Sequence, residues 1–309
     1  MGGKSGEGSG SELERTGYRF AGPGRQAAAK VCEWTRKSLR GEGTCYKQKW
    51  YGIESHRCLQ CTLSLRCNTR CAYCWRSFKA FSGVSKTDKN VDDPEVILKD
   101  LVRNQRLLLS GFGGFRETEK KKWEEAKKPT NFAISLIGES LFYPRLSDFI
   151  ELIRKKGGST FLVTKGTLPE ELKSLDELPT NLYISVCAPD RGTFRKLDRP
   201  LAGDGWERQM ESLEFMNSVS CRKVIRVTAV KGHNMKNPEG YAKLIGKANP
   251  DFIEIKAYMH LGESQSRLPR DAMPFPKDVE RFAKEVADAS AYTYRDFFGP
   301  SRVALLSRK

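Results

Sequence analysis

The sequence predicts an α/β protein built on a mostly parallel sheet, and three observations carry that prediction. Six short apolar runs, Cys61–Leu65, Phe132–Ile137, Thr160–Val163, Leu182–Val186, Val224–Val230 and Phe252–Ile255, have the length and the Val, Ile and Phe content of buried strands. Amphipathic stretches of helical period lie between them, at Pro94–Leu109, Glu117–Lys127, Arg145–Lys156, Trp206–Asn217, Pro238–Ala248 and Pro276–Ala289. Several of these open on Asp-Pro, Asn-Pro or another proline, the residue suited to a first helical turn. Such alternation gives βαβ units. Six strands suit a barrel that does not fully close or an open doubly wound sheet, and in both the ligands sit at the carboxyl ends of the strands.

Taken in order, those strand ends carry polar and glycine residues. The first run flows into a loop with Cys67, Cys71 and Cys74. The second ends in Ile137-Gly138-Glu139-Ser140, where a glycine permits close backbone approach beside a carboxylate. The third ends in Thr164-Lys165-Gly166-Thr167, the fourth in Cys187-Ala188-Pro189-Asp190, the fifth in Lys231-Gly232-His233-Asn234-Met235 and the sixth in Lys256-Ala257-Tyr258-Met259. One such loop means little. Six together place a site at that end of the sheet.

Composition narrows the class. The chain has 309 residues, 39% of them hydrophobic, with a mean hydropathy of −0.56. No apolar run approaches the roughly 18–20 residues of a membrane helix. The opening MGGKSGEGSGSELER lacks the apolar centre of a signal peptide and reads as part of a disordered basic tail over residues 1–29. A cytoplasmic location follows as the expectation, and in that reducing compartment the nine cysteines are not expected to form disulfides. Seven of the nine fall between Cys32 and Cys74, which points to metal binding. Fifty-four Lys and Arg against 38 Asp and Glu leave a net charge of +16 and a pI near 9.4, the balance of a protein whose partner is a polyanion such as nucleic acid.

The segment CNTRCAYCWR sets Cys67, Cys71 and Cys74 in a C-x3-C-x2-C run with an aromatic residue before the last cysteine. Three thiolates on one loop can hold three corners of a [4Fe–4S] cluster and leave one iron open. A structural zinc site would need a fourth ligand, for which Cys61 or His56 lies near. Upstream, Cys32, Cys45 and Cys58 repeat the number at C-x12-C-x12-C, in a polar, basic stretch unsuited to core cysteines. These suggest a second cluster. Cys61, in a C-x2-C pair with Cys58, competes for the third place, and Cys187 and Cys221 read as buried packing thiols.

The short-spaced triad at the end of the first strand resembles the radical S-adenosylmethionine superfamily. The stretches VCEWTRKSLRGEGTCYKQKWYGIESHRCLQC and CNTRCAYCWRSF, with ISLIGES, SVCAPD, IRVTAVKGHNM and IEIKAYMHLGESQSRL further on, resemble the archaeal tRNA 4-demethylwyosine synthase family over residues 30–285. That resemblance implies an incomplete (β/α)6-type radical SAM barrel over residues 61–290. It also implies a Cys-rich extension for the auxiliary cluster over 30–60, followed by a C-terminal strand or tail over 291–309. It implies a lyase-class enzyme that condenses pyruvate with N1-methylguanosine-37 of tRNA-Phe to form 4-demethylwyosine. S-adenosylmethionine and two [4Fe–4S] clusters serve it, one on Cys67, Cys71 and Cys74 and the other on Cys32, Cys45 and Cys58.

The resemblance assigns Lys47 as the Schiff-base lysine for pyruvate, with Lys49 as its rival. Tyr73, Gly138, Glu139, Ser140, Ser185 and Arg226 are assigned to S-adenosylmethionine. The superfamily's Gly-Gly-Glu motif is matched only in part, because Ile137 stands in the first place. Arg226 in an apolar strand needs a charged partner, and a cofactor carboxylate would serve. The flavin domain of the eukaryotic members has no room in this chain, so an external flavodoxin- or ferredoxin-type electron donor is expected, and a monomer. Two other functions stay open from residues alone: a different radical enzyme, acting on RNA or activating a glycyl-radical enzyme, and a zinc-bearing RNA-binding protein without catalysis.

Overall fold

The structure, a computed structural model, describes residues 12–78 and 91–308. The chain divides into two compact units. The first comprises Met1–Arg66, Lys79–Leu162 and Leu175–Thr180, and the second Cys67–Phe78, Val163–Ser174 and Asn181–Lys309.

In the first unit, strands β1 (Arg19–Ala21) and β2 (Ala27–Ala29) form a hairpin, followed by helices α1 (Glu33–Leu39) and α2 (Tyr46–Tyr51). Strand β3 (Cys58–Thr62) pairs antiparallel with β2 and parallel with β4 (Asn131–Ile134). Helices α3 (Pro94–Leu109) and α4 (Lys120–Ala126) lie between those two strands in sequence. After α5 (Leu146–Lys155), β5 (Ser159–Thr164) continues the parallel ladder, pairing Asn131 with Ser159 and Ile134 with Leu162. Helix α3 starts where the sequence says it should. Asp93 caps it, accepting from the Glu95 and Val96 amides at 2.8 and 3.4 Å, and Pro94 fills the first turn. Helix α5 buries Leu146, Phe149, Ile150 and Ile153, one stripe at helical spacing.

Two expectations change here. Residues 1–11 of the expected tail lie outside the described residues, but the rest is ordered, and Ala27, Ala28 and Ala29 are fully buried. The tail is held by long-range acceptors. Asp92 takes the Gly24 amide at 3.0 Å, Asp100 the Gly22 amide at 3.0 Å, and Asn104 donates to the Phe20 carbonyl at 2.7 Å. Small side chains that look featureless in sequence are what a close antiparallel ladder accepts. The first parallel strand also runs three residues earlier than the apolar run suggested. Thr62 turns the chain out of the sheet, its hydroxyl donating to the carbonyls of Ser64 and Ile137 at 2.8 and 2.5 Å. Leu63 is apolar because it is a buried turn residue, not because it is strand.

The second unit continues with α6 (Pro169–Lys173), β6 (Asn181–Ser185), α7 (Arg191–Leu197), α8 (Gly205–Ser218), β7 (Arg222–Ala229), α9 (Pro238–Ala248) and β8 (Phe252–Ala257). Strands β6, β7 and β8 are parallel, with Ile184 opposite Ile225 and Val227 opposite Ile255. All four of those side chains are fully buried, each contributing about 1.5–3 kcal/mol. The end of the chain is a hairpin rather than a tail: after α10 (Pro276–Asp288), β9 (Tyr292–Phe298) turns into β10 (Val303–Arg308), which pairs antiparallel with β8.

Candidate active site

In the second unit the loop from Cys67 to Trp75 is fastened along its backbone. The Arg70 and Ala72 amides donate to the Arg199 and Leu197 carbonyls at 2.9 and 2.8 Å, and the Leu201 amide donates to Asn68 at 2.9 Å. Arg267 reaches the carbonyls of Ala72, at 3.3 Å, and of Cys74. The Glu263 amide donates to Trp75 at 3.0 Å. Gly262 has φ +53°, and a Cβ there would run into the Trp75 carbonyl, so the segment after β8 can lie this close only as glycine.

This clamp brings the three thiols together. Cys67 and Cys71 both contact the Thr69 hydroxyl, at 3.4 and 3.5 Å. Burial pushes the Cys71 thiol well above its ordinary range. Lys165 opposes that shift, while Asp198, Cys67 and Cys74 add to it. Three sulfur donors on one loop are the ligand type of an iron–sulfur cluster. Metal coordination deprotonates a thiol outright, which removes the penalty burial imposes on the free thiolate.

Tyr73 is anchored through its hydroxyl. Its hydroxyl donates to Asp198 and accepts from Lys165 at 2.6 Å, and Lys165 also donates to Asp198 at 2.5 Å. Asp198 is fully buried, and its second oxygen has no partner among the described residues. Burial works against the Lys165 ammonium, but Asp198 outweighs it and holds the group above the usual lysine range. In the sequence Lys165 stands out only as a strand-end residue, and Asp198 does not stand out at all. The stretch Lys196-Leu197-Asp198-Arg199-Pro200 carries no periodic signal, so nothing in it announces a buried carboxylate.

Ser185 ends β6 beside Arg226 in the register, and its carbonyl accepts from Gln209 at 3.1 Å. The charged partner that Arg226 requires is Glu254 of β8. Nε and a terminal nitrogen of Arg226 lie 3.1 and 2.7 Å from one Glu254 oxygen, and Tyr183 donates to the other at 2.9 Å. Within the sheet this ion pair balances the arginine.

In the first unit, Cys32 and Cys45 occupy the positions just before α1 and α2, and Cys58 opens β3. Two small hydroxyls join these segments. Thr35 donates to the Ser55 and Cys58 carbonyls at 3.0 and 3.3 Å, and the Ser55 hydroxyl accepts the Cys45 amide at 2.9 Å. Burial, then the neighbouring Cys32, push the Cys58 thiol up to about 12; Lys47 acts the other way and Cys45 adds to the rise. Three thiols and the Lys47 ammonium therefore share one field. Lys47 is buried with its ammonium 4.1 Å from the centre of the Phe161 ring, whereas Lys49 is exposed.

Cys61 does not join this set. It is fully buried, three residues from Cys58 and so on the opposite strand face, with burial and Cys58 the causes of its raised thiol. His56 is turned to Glu125, 2.8 Å away. Gly138 has φ +71°, and a Cβ there would run into the Ser64 carbonyl and lie 2.8 Å from that of Arg66. The Glu139 amide donates to Arg66 at 2.5 Å, and its carboxylate accepts from Leu141 at 3.3 Å. The Ser140 hydroxyl is used locally, 3.3 Å from Thr62 and from the Leu63 amide.

Comparison with known proteins agrees with this arrangement. Residues 62–245 match the model of the radical SAM superfamily, so the chain is a radical S-adenosylmethionine enzyme of mixed α/β fold. Residues 247–308 match the model for wyosine base formation. The chain is 46% identical over 290 residues to the S-adenosyl-L-methionine-dependent tRNA 4-demethylwyosine synthase of Pyrococcus abyssi, covering 92% of this chain and 84% of that one. It is 39% identical over 277 residues to the Mus musculus enzyme, covering 89% of this chain and 38% of that one. A solved structure of TYW1 with a lysine–pyruvate adduct bound superposes with a TM-score of 0.87 at 32% identity, covering 98% of this chain and 96% of that one. The structure of archaeal TYW1 gives 0.79 at 30% identity, with the same coverage of both chains. The chain belongs to the tRNA 4-demethylwyosine synthase family. Membership makes it a tRNA-modifying enzyme of wybutosine synthesis that works with S-adenosylmethionine and a [4Fe–4S] cluster. Among the described residues no helix is long and apolar enough to cross a membrane.

Proposed function

We propose that this enzyme condenses pyruvate with N1-methylguanosine-37 of tRNA-Phe, as a lyase-class synthase built on an incomplete (β/α)6 barrel. The observation that carries the reading is the convergence of buried Lys47 with half-buried Cys32, Cys45 and Cys58 in one electrostatic cluster. In this reading Cys67, Cys71 and Cys74 hold the radical cluster, and Cys32, Cys45 and Cys58 an auxiliary one. Gly138 and Glu139 meet the amino group of S-adenosylmethionine, with Tyr73, Ser140, Ser185 and Arg226 shaping its surroundings. When bound, cluster and cofactor would supply the one-electron chemistry needed at the guanosine methyl group. An external flavodoxin- or ferredoxin-type donor feeds it, and the protein acts as a cytoplasmic monomer.

The chain's own chemistry lies in Lys47. An amine attacks a ketone only when neutral, so the Lys47 ammonium must give up a proton before it condenses with the carbonyl. Addition of the amine to the ketone carbon and loss of water give an imine that holds pyruvate with its carboxylate fixed. Fixing a reactant this way can contribute up to about 7–11 kcal/mol. Exposed Lys49 has no such environment. The lysine–pyruvate adduct in the solved TYW1 structure supports the assignment.

The test is borohydride reduction in the presence of pyruvate, followed by peptide mass analysis. A lactyl-type mass should fall on the peptide containing Lys47. Lys47→Arg keeps the charge but cannot form the imine, so it should bind tRNA normally and yield no tricyclic base. Product from that variant, or label on Lys49, refutes the assignment.

A further inference from the structure

In the second unit, a cavity of about 860 Å³ opens between the turn after β7 and the segment before α10. Lys231, His233, Arg270, Met273 and Phe275 line it. Phe275 is 67% exposed, the most exposed large apolar side chain described, and Lys231 stands 5.6 Å from the centre of its ring. Asp278 holds the two side by side, accepting the Phe275 amide at 3.0 Å and the Lys231 ammonium at 3.2 Å. Arg270 and His233 are exposed, and among the described residues neither side chain makes an ion pair.

Part of the cavity lining packs against the cluster loop. Ala272 and Met273 pack in one apolar cluster with Ala72 and Tyr73, together with Val230 and Tyr258, which follow the carboxyl ends of β7 and β8. It therefore sits at the end of the sheet where ligands bind. Its floor from Pro269 to Phe275 also falls inside the region matched to wyosine base formation. An exposed aromatic face beside fixed cations is poorly explained by folding, since truncating it would uncover little. It is well suited to an unstacked nucleobase, which stacks on aromatic rings while cations meet its phosphate.

We propose that this cavity holds a nucleotide of the tRNA other than the one that reacts, its base stacked on Phe275 and its phosphate met by Lys231 and Arg270. The openness of the site is the reason for choosing a non-reacting nucleotide, since a base undergoing radical chemistry must be shielded from solvent. The inference rests on the tRNA reading above and adds a second contact point to it.

The test measures binding of full-length tRNA-Phe transcript carrying N1-methylguanosine to the cluster-loaded protein, by fluorescence anisotropy across a salt series. Phe275→Ala should weaken binding about tenfold or more, the range of one lost base stack. Phe275→Trp should restore it, and the unfolding midpoint of both should match the parent protein. Arg270→Gln should flatten the log–log salt plot by about one unit. Parent protein that fails to bind the tRNA refutes the tRNA reading itself. Tight parent binding with Phe275→Ala within about twofold of it overturns only the cavity assignment. That assignment also falls if the variants bind tRNA normally but are reduced slowly by flavodoxin, because the surface would then serve a protein partner.

Discussion

Lys165→Met should be among the most damaging single changes in the second unit. It removes two hydrogen bonds, at 2.6 Å to the Tyr73 hydroxyl and at 2.5 Å to Asp198. Bonds involving a charged group contribute about 1.5–3 kcal/mol each, so the pair sums to about 3–6. A second route gives a similar figure. Asp198 has no exposure and one oxygen already lacks a partner among the described residues, so losing the lysine leaves a buried charge uncompensated, at about 3–5 kcal/mol. Asp198→Asn should cost less, because Lys165 retains some exposure and keeps its bond to Tyr73.

The assay is urea unfolding of the full chain under anaerobic, reducing conditions, followed by circular dichroism for the parent, both singles and the Lys165→Met/Asp198→Asn double. The double should be less damaged than the sum of the singles by about 1–3 kcal/mol, the coupling of a contacting pair. Lys165 sits above its ordinary range, so its contribution is fully present below the ordinary lysine value and fades only as the pH climbs beyond it. The deficit of Lys165→Met should therefore be the same at about pH 6.5 and about pH 8.5. A single variant within about 0.5 kcal/mol of the parent, or strictly additive effects, would refute the reasoning.

Four further outcomes are expected. Alanine at Cys67, Cys71 or Cys74 should each abolish S-adenosylmethionine cleavage, and cleavage at the parent rate in any one sinks the ligand assignment. Cys32→Ala or Cys45→Ala should lower iron content by about half, since two similar clusters are proposed. Cys61→Ala, on the other strand face, should leave iron unchanged, and iron lost in that variant would move the third ligand from Cys58 to Cys61. Gly138→Ala places a methyl group on the Ser64 carbonyl at a φ of +71°. It should weaken S-adenosylmethionine binding measurably by calorimetry and lower the unfolding free energy by about 1–3 kcal/mol, the cost of a strained backbone position; unaltered binding and stability would show the turn to be tolerant.

The sequence by itself determined what local pattern can encode. The spacing of Cys67, Cys71 and Cys74, the strand and helix periods, and the Asp93-Pro94 start of α3 all depend on neighbours within a turn or a loop. Lys47 and Lys49 look alike in sequence, and the fold separates their surroundings: in α2 the first is buried beside the thiols and the second lies in solvent. Tertiary structure alone decided the rest. Asp198 meets Lys165 across 33 residues and Glu254 meets Arg226 across 28; the first pairing depends on where α7 ends and the second on strand register. The ordered hairpin of Arg19–Ala29 is the same kind of fact. Its few small residues have little propensity of their own and are held by Asp92, Asp100 and Asn104, acceptors and donors supplied from more than sixty residues away.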